Sequence, residues 1–211
     1  MSLQSPKIYS PREEKLNVIS HAAGILFAVT GTILLLLHAT TPLTVLASLV
    51  YGGSLLILFS GSTFYHAAKH PEKRAKLRLL DHSAIYFLIA GTYTPLMLCI
   101  DRGTAEIVVL LVVWGLALIG VTLEMLRIKP FKGFSIILYI LMGWACLAVL
   151  PQLIQKLPPH AFCVLLAGGI AYTLGVPFYV ARKEFCHALW HFFVIAGAVL
   201  HFLCIYLVFL N

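Results

Sequence analysis

The sequence predicts an all-α, polytopic membrane protein, a bundle of seven transmembrane helices. The composition, the spacing of the apolar runs and the distribution of basic residues support this fold class. Of the 211 residues, 61% are hydrophobic and 11% are charged, and the mean hydropathy is +0.96. Soluble domains are about 45–50% apolar and about 25% charged. The excess apolar surface therefore requires a lipid environment.

Seven apolar stretches follow one another along the chain, separated by proline, glycine and clusters of charge. Each stretch has about 18–24 residues, enough for a helix to cross a hydrocarbon core of ~30 Å. Every backbone group must be satisfied inside lipid, and no stretch alternates like a strand, so helices are favoured over a barrel. The predicted spans are 18–38, 43–65, 83–100, 104–126, 133–153, 160–181 and 187–210.

The basic residues predict the orientation of the bundle. With the N-terminus in the cytoplasm, 13 of the 15 Lys and Arg residues fall on the inner side, and only Arg102 and Lys156 fall outside. A bias of this size in short loops sets orientation. We therefore predict a cytoplasmic N-terminal segment over residues 1–17 and a seven-helix transmembrane domain over 18–211, with the C-terminus outside.

The partners and the location follow from the same pattern. The net charge of +7 comes from residues in short loops, so we expect no nucleic-acid partner. We expect the chain to be integral to the membrane, with membrane lipids as its partners. The short loops indicate a bacterial inner (plasma) membrane. The oligomeric state is not indicated by any feature of the sequence.

This topology brings histidines from distant parts of the chain to one depth in the membrane. His66 ends the second span at its cytoplasmic side, and His187 and His191 begin the seventh span at the same side. Residues four apart in a helix point to nearly the same side, one turn apart. Three neutral imidazoles that leave one position open are typical of a catalytic zinc site. Nitrogen ligands also suit copper, iron or nickel, and zinc is the usual choice where no redox partner is visible. Histidines at helix ends are also common as interfacial or hydrogen-bonded residues, so spacing alone does not decide.

Three motifs resemble those of the haemolysin III family, within the wider progestin and adipoQ receptor superfamily of seven-helix membrane proteins. The similarity extends from about residue 13 to the end of the chain. In order, the motifs are Glu13 or Glu14 with Asn17 and His21, then Ser62 and His66 followed by Asp81, then His187-Ala-Leu-Trp-His191. Leu80-Asp81-His82 and Gly91-Thr92-Tyr93-Thr94-Pro95 are similar to the bacterial branch.

The resemblance implies a set of site residues. Zinc would be held by His66, His187 and His191. Ser62 and Asp81 would lie beside it, and whether Asp81 binds the metal directly or through water stays open. A second group would either orient the site and close its cytoplasmic mouth, or cap and anchor the first helix. This second group consists of His21, Asn17, Glu13 and Glu14.

The resemblance also implies a function, because the superfamily is similar to ceramidase-type enzymes. We expect zinc-dependent hydrolysis of an amide or ester of a membrane lipid. Asp81 would take a proton or orient the water, and Ser62 would hydrogen-bond to the water or the developing oxyanion. One alternative is a non-enzymatic protein of membrane homeostasis or sensing with structural zinc.

A second alternative is a pore-forming or lytic protein. It is disfavoured by the few polar residues in the middle of the spans, where His201 is the main one. His201 lies about 15 Å along the helix from His191, too far to share its metal. We expect it to be a hydrogen-bonded core residue.

Overall fold

The computed structural model describes residues 9–100, 102–131 and 133–210, and every regular element within these ranges is helical. The predicted all-α class is confirmed. Residues 1–8 of the predicted N-terminal segment lie outside the described residues. The helices are α1 Pro11–His38, α2 Pro42–Ala67, α3 Pro71–Cys99, α4 Thr104–Met125, α5 Phe134–Gly143, α6 Leu150–Lys156, α7 Pro159–Val180 and α8 Cys186–Phe209, with a 3₁₀ segment, Ala145–Val149, between α5 and α6.

Six helical stretches are long and apolar enough to cross a membrane. They are α1, α2, α4, the segment from α5 to α6, α7 and α8. Large aliphatic side chains are exposed on the outer surface of the bundle, among them Leu26 (72% exposed), Leu37 (74%) and Leu111 (65%). An apolar surface repeated on most helices would be unstable in water, whereas lipid solvates it. The chain is therefore a polytopic membrane protein.

Helix α3, the predicted third span, does not meet the same criterion of apolarity. Its first turns are charged, and its second half contains the polar run Thr92–Pro95. Most side chains from Ser83 to Met97 are buried, and α3 packs against α2, α4, α5 and α8. A helix surrounded by protein does not need a lipid-compatible surface. The crossing of the membrane by α3, and with it the count of seven spans, thus stays a prediction.

Two helix starts differ from the predicted span limits because the capping signals lie earlier in the sequence. Helix α1 begins at Pro11 rather than near residue 18, and the Ser10 Oγ accepts a hydrogen bond from the Glu13 N–H at 3.2 Å. Helix α3 begins at Pro71, well before residue 83. Proline in the first turn and a serine cap both favour helix initiation. The acidic residues before residue 17 therefore become part of α1.

The bundle surrounds a cavity of about 130 Å³. Side chains from α1, α2, α3, α5, α7 and α8 line it, and α4 packs outside them against α3 and α5. Helix α1 packs between α2 and α8, and α8 also packs against α7. This arrangement places the end of α2 and the start of α8 on either side of the start of α1.

The predicted fifth span is interrupted rather than continuous. After Gly143 the chain passes through the 3₁₀ segment before α6 begins. The Tyr93 hydroxyl donates to the Gly143 carbonyl at 3.0 Å and accepts from the Cys146 N–H at 2.8 Å. A break inside a membrane protein is tolerated only where the freed backbone groups find partners. Tyr93 of α3 supplies both partners.

We expect Tyr93→Phe to destabilise the protein, because it leaves a carbonyl and an N–H beside the break without the hydroxyl. An unsatisfied buried group costs about 1–3 kcal/mol, so the midpoint of thermal unfolding in detergent should fall by several degrees. Tyr172→Phe is the matched control, because the Tyr172 hydroxyl is buried without a hydrogen-bond partner in the described part of the chain. Equal melting temperatures for the two variants would contradict the role of Tyr93.

Candidate metal centre

Three histidines converge where α2 ends and α8 begins. The nitrogens that His66, His187 and His191 can offer to a metal all lie within 4.8 Å of one another. The Nε2 atoms of His66 and His187 are 3.3 Å apart, and all three residues are buried, with 7% exposure or less. In a tetrahedral site with Zn–N bonds of about 2.0–2.1 Å, ligand atoms are about 3.3 Å apart. The donor set and its spacing fit a metal ion.

The local structure of α8 puts two of these histidines on one face. The chain enters α8 through Phe185 in the left-handed conformation (φ 64°), and the helix starts at Cys186. The ring centroids of His187 and His191 are 4.8 Å apart, as expected for residues one turn apart. The Glu13 carboxylate accepts from the His187 N–H at 3.2 Å. A carboxylate of α1 thus satisfies a backbone donor in the first turn of α8.

Helix α1 also fixes which ring nitrogen of His66 is available. The His66 Nδ1 lies 2.7 Å from the Glu14 Oε2 and 3.4 Å from the Asn17 Nδ2. Because a carboxylate only accepts, the short contact means that Nδ1 carries the proton and donates. Nε2 is then left with a lone pair for a cation. The other Glu14 oxygen accepts from Arg74, whose guanidinium lies 4.9 Å from the centroid of the Tyr65 ring.

His191 is oriented in the same way by Ser20. The Ser20 hydroxyl donates to the Asn17 carbonyl at 3.1 Å, so its oxygen can accept from the His191 Nδ1–H, also at 3.1 Å. This again leaves Nε2 for a metal. Partners that hold the outer nitrogen of a ligating histidine set its tautomer and its direction. One face of α1 therefore contacts all three histidines.

The remaining residue of the second group, His21, lies against the same cluster. Its ring stacks on His191 with centroids 3.6 Å apart and planes 12° apart. Its edge contact with Phe59 has a centroid distance of 5.2 Å. His21 is 3% exposed and lines the cavity. The ring is therefore held by packing on two sides.

Ser62 and Asp81 line the same cavity as His187 and His191. The converging ligand atoms themselves belong to His66, His187 and His191. The Ser62 Oγ is buried and has no hydrogen-bond partner among the residues that the structure describes. Asp81 is half-buried. The structure thus brings both predicted side chains to the cavity beside the histidines.

Away from the histidines the cavity is mainly apolar. Its walls include Leu58, Leu88, Trp144 and Val194, and His201 borders it as well. The His201 Nε2 donates to the Leu165 carbonyl at 3.2 Å, which is the hydrogen bond expected of a core histidine. Such a lining suits the hydrocarbon part of a ligand better than a hydrated ion.

Three residues near the site, Ser20, Arg74 and Tyr9, were not predicted from the sequence. Ser20 could have been found, because it falls on the buried face of α1 with Asn17 and Gly24, at helical spacing. Arg74 and Tyr9 carry no such signal. The Tyr9 ring stacks on His187 with centroids 4.7 Å apart, and burial raises the pKa of its hydroxyl. Tyr9 precedes α1 and packs over the histidines there.

Known proteins are similar to this sequence over most of its length. A family model described as "Haemolysin-III related" matches residues 9–202. The chain is 39% identical over 198 residues to Hemolysin-3 of Bacillus cereus, covering 92% of this chain and 90% of that protein. It is 35% identical over 202 residues to the Hemolysin-3 homolog of Bacillus subtilis (strain 168), covering 94% and 95%.

A more distant relative comes from animals. The chain is 28% identical over 203 residues to the human Monocyte to macrophage differentiation factor, covering 92% of this chain and 83% of that protein. The family match covers the three motifs and the six apolar stretches except the end of α8. The chain belongs to the haemolysin III family and is a multi-pass protein of the bacterial inner membrane.

Proposed function

We propose that this protein binds zinc through His66, His187 and His191 and hydrolyses an amide or ester of a membrane lipid. The observation that carries the proposal is the position of three convergent imidazoles beside an apolar cavity. Zinc is chosen because the donor set is three neutral nitrogens without a thiolate or a visible redox partner. Bound zinc would supply hydroxide near neutral pH, since it lowers the pKa of water to about 7.

Asp81 and Ser62 are the proposed catalytic residues. Both side chains line the cavity that His187 and His191 border. Asp81 accepts a proton or orients the attacking water. The Ser62 hydroxyl donates a hydrogen bond to the water or to the developing oxyanion. Its Oγ has no competing partner in residues 9–100, 102–131 and 133–210, so its hydroxyl is available for that bond.

The proposed topology has seven spans, with residues 1–17 on the cytoplasmic side, the bundle over 18–211 and the C-terminus outside. The excess of basic residues on one side supports this orientation. The buried surroundings of α3 support its place as the third of the seven crossings. In this orientation the metal site lies near the cytoplasmic leaflet, because it forms at the end of α2 and the start of α8.

A structural role for the metal is the second candidate. The histidines come from two helices, and α1 is hydrogen-bonded to both helices at the same place. A cation bound there would join α2 to α8 and stabilise the bundle without catalysing a reaction. A closed coordination shell would indicate this role, and an open position would indicate catalysis.

We expect purified protein to contain about one zinc ion per chain, the stoichiometry of a three-histidine site. His66→Ala, His187→Ala and His191→Ala should each lose most of it, because each removes a ligand. Elemental analysis of detergent-purified protein measures the content. His160→Ala, at an exposed position at the start of α7, is the control. Wild type without metal, even after incubation with zinc, would refute the site.

We expect Ser62→Ala and Asp81→Asn to keep zinc and lose hydrolysis of lipid amides or esters. Loss of one oxyanion donor typically lowers kcat by about 10²–10³-fold. Turnover would be measured by mass spectrometry on a panel of membrane lipids, with zinc content determined on the same samples. If the wild type holds zinc and cleaves no lipid class, the structural role is favoured instead.

We expect Glu14→Gln to weaken zinc binding about 10–100-fold, the usual effect of removing the partner of a ligating histidine. In the wild type, one anionic oxygen of Glu14 accepts from the His66 Nδ1–H and the other accepts from Arg74. The glutamine side chain is uncharged and cannot reproduce this pair of charge-assisted hydrogen bonds. Competition with a fluorescent chelator measures the affinity. Glu72→Gln, exposed in the first turn of α3, should bind zinc like the wild type. An unchanged affinity for Glu14→Gln would argue against its orienting role.

A further inference from the structure

His21 is a buried imidazole whose two ring nitrogens have no hydrogen-bond partner within the described residues. It is only 3% exposed. In either neutral tautomer, one nitrogen donates and the other accepts. Buried polar atoms of this kind almost always have partners. An imidazole left without them is therefore expected to bind something that enters the cavity.

Packing accounts for the position of the His21 ring but not for its nitrogens. The ring lies parallel to His191 at 3.6 Å and edge-on to Phe59 at 5.2 Å. A phenylalanine would satisfy both contacts and would leave no polar atom buried. The two nitrogens are thus the part of the side chain that packing does not explain.

A second unpartnered polar group faces the same cavity. Ser62 on α2 is 1% exposed, and its Oγ, like the His21 nitrogens, has no partner in the part of the chain described. Both residues line the cavity together with His187 and His191. Two helices therefore place unpartnered hydrogen-bonding side chains at the cavity that His187 and His191 line, and the other walls are mainly apolar.

We propose that His21 and Ser62 together bind the carbonyl or carboxylate oxygen of a chain-shaped lipid. The imidazole N–H and the serine hydroxyl donate to that oxygen, and the hydrocarbon chain occupies the apolar part of the cavity. The inference rests on the proposed function and extends it, since it assigns His21 to the ligand rather than to the metal. His21 is not part of the group of three convergent nitrogens, which agrees with this assignment.

The test measures binding of a probe that cannot be hydrolysed. Full-length protein in detergent is titrated with cis-parinaric acid, a fluorescent long-chain carboxylate, with and without added zinc. The main variant is His21→Phe, which keeps the aromatic packing and removes both nitrogens. We expect its dissociation constant to rise about tenfold or more in both conditions, because a hydrogen bond to a charged oxygen is lost. Its zinc content should equal that of the wild type.

Ser62→Ala should also weaken binding of the probe, and it keeps the test decisive if His21→Phe does not fold. Where His21→Phe folds, His21→Asn should bind the probe more tightly than His21→Phe, because the amide restores a donor. The control is His38→Phe, at the opposite end of α1, where Nδ1 donates to the Leu34 carbonyl. It should bind the probe like the wild type.

Each contrary result has a distinct meaning. Unchanged probe binding by His21→Phe, or by Ser62→Ala where His21→Phe does not fold, overturns the proposal, and so does a wild type that does not bind the probe. Loss of zinc from folded His21→Phe also overturns it and makes His21 a metal ligand. Failure of the hydrolase hypothesis is a separate result, because a protein that cleaves no lipid can still bind the probe through His21.

Discussion

Buried imidazoles impose the constraint on which the arrangement of this bundle depends. A histidine removed from water needs a partner for its outer nitrogen before its inner nitrogen can face a cation. Glu14 supplies that partner for His66 and Ser20 for His191, both from α1. The position of α1 against α2 and α8 is therefore part of the candidate metal centre, although α1 contributes none of the three convergent nitrogens.

Close packing of α1 is what makes these hydrogen bonds possible. A Cβ on Gly24 would lie 2.4 Å from the Phe59 ring, so only glycine allows α1 to approach α2 this closely. Phe59 in turn contacts His21, which stacks on His191. Small residues at membrane helix interfaces commonly permit such approach. Through this series of contacts, the packing of α1 on α2 is coupled to the orientation of a histidine on α8.

Much of the fold was predictable, because the bilayer restricts what an apolar chain can do. Runs of about 18–24 apolar residues had to be helices, and the spacing of His187 and His191 fixed their common face. The convergence of His66 with them followed from topology alone. The class, the six apolar helical stretches and the convergence of the three histidines therefore agree with the prediction. Two helix starts and the interrupted fifth span do not, while the orientation and the crossing by α3 stay predictions.

The parts that were not predicted depend on contacts between helices. The interruption after Gly143 is stabilised by Tyr93, which is 50 residues away in sequence, and no local pattern records that pairing. Ser20 contacts His191 across 171 residues. The polarity of α3 is tolerated because other helices enclose it. Each of these features depends on contacts between residues that are distant in sequence, and the periodicity of a single sequence does not indicate such contacts.

The histidines lie between an ion pair on one side and an apolar cavity on the other. Glu14 and Arg74 form an ion pair on one side of His66, at the end of α2 where half-buried charges can be paired. Isolated charges deeper in the bilayer would be far more costly. On the other side, the cavity runs between Leu58, Leu88 and Val194. The proposed hydrolysis of a lipid would need water and hydrocarbon at one place, and the histidines lie between the paired charges and the apolar walls.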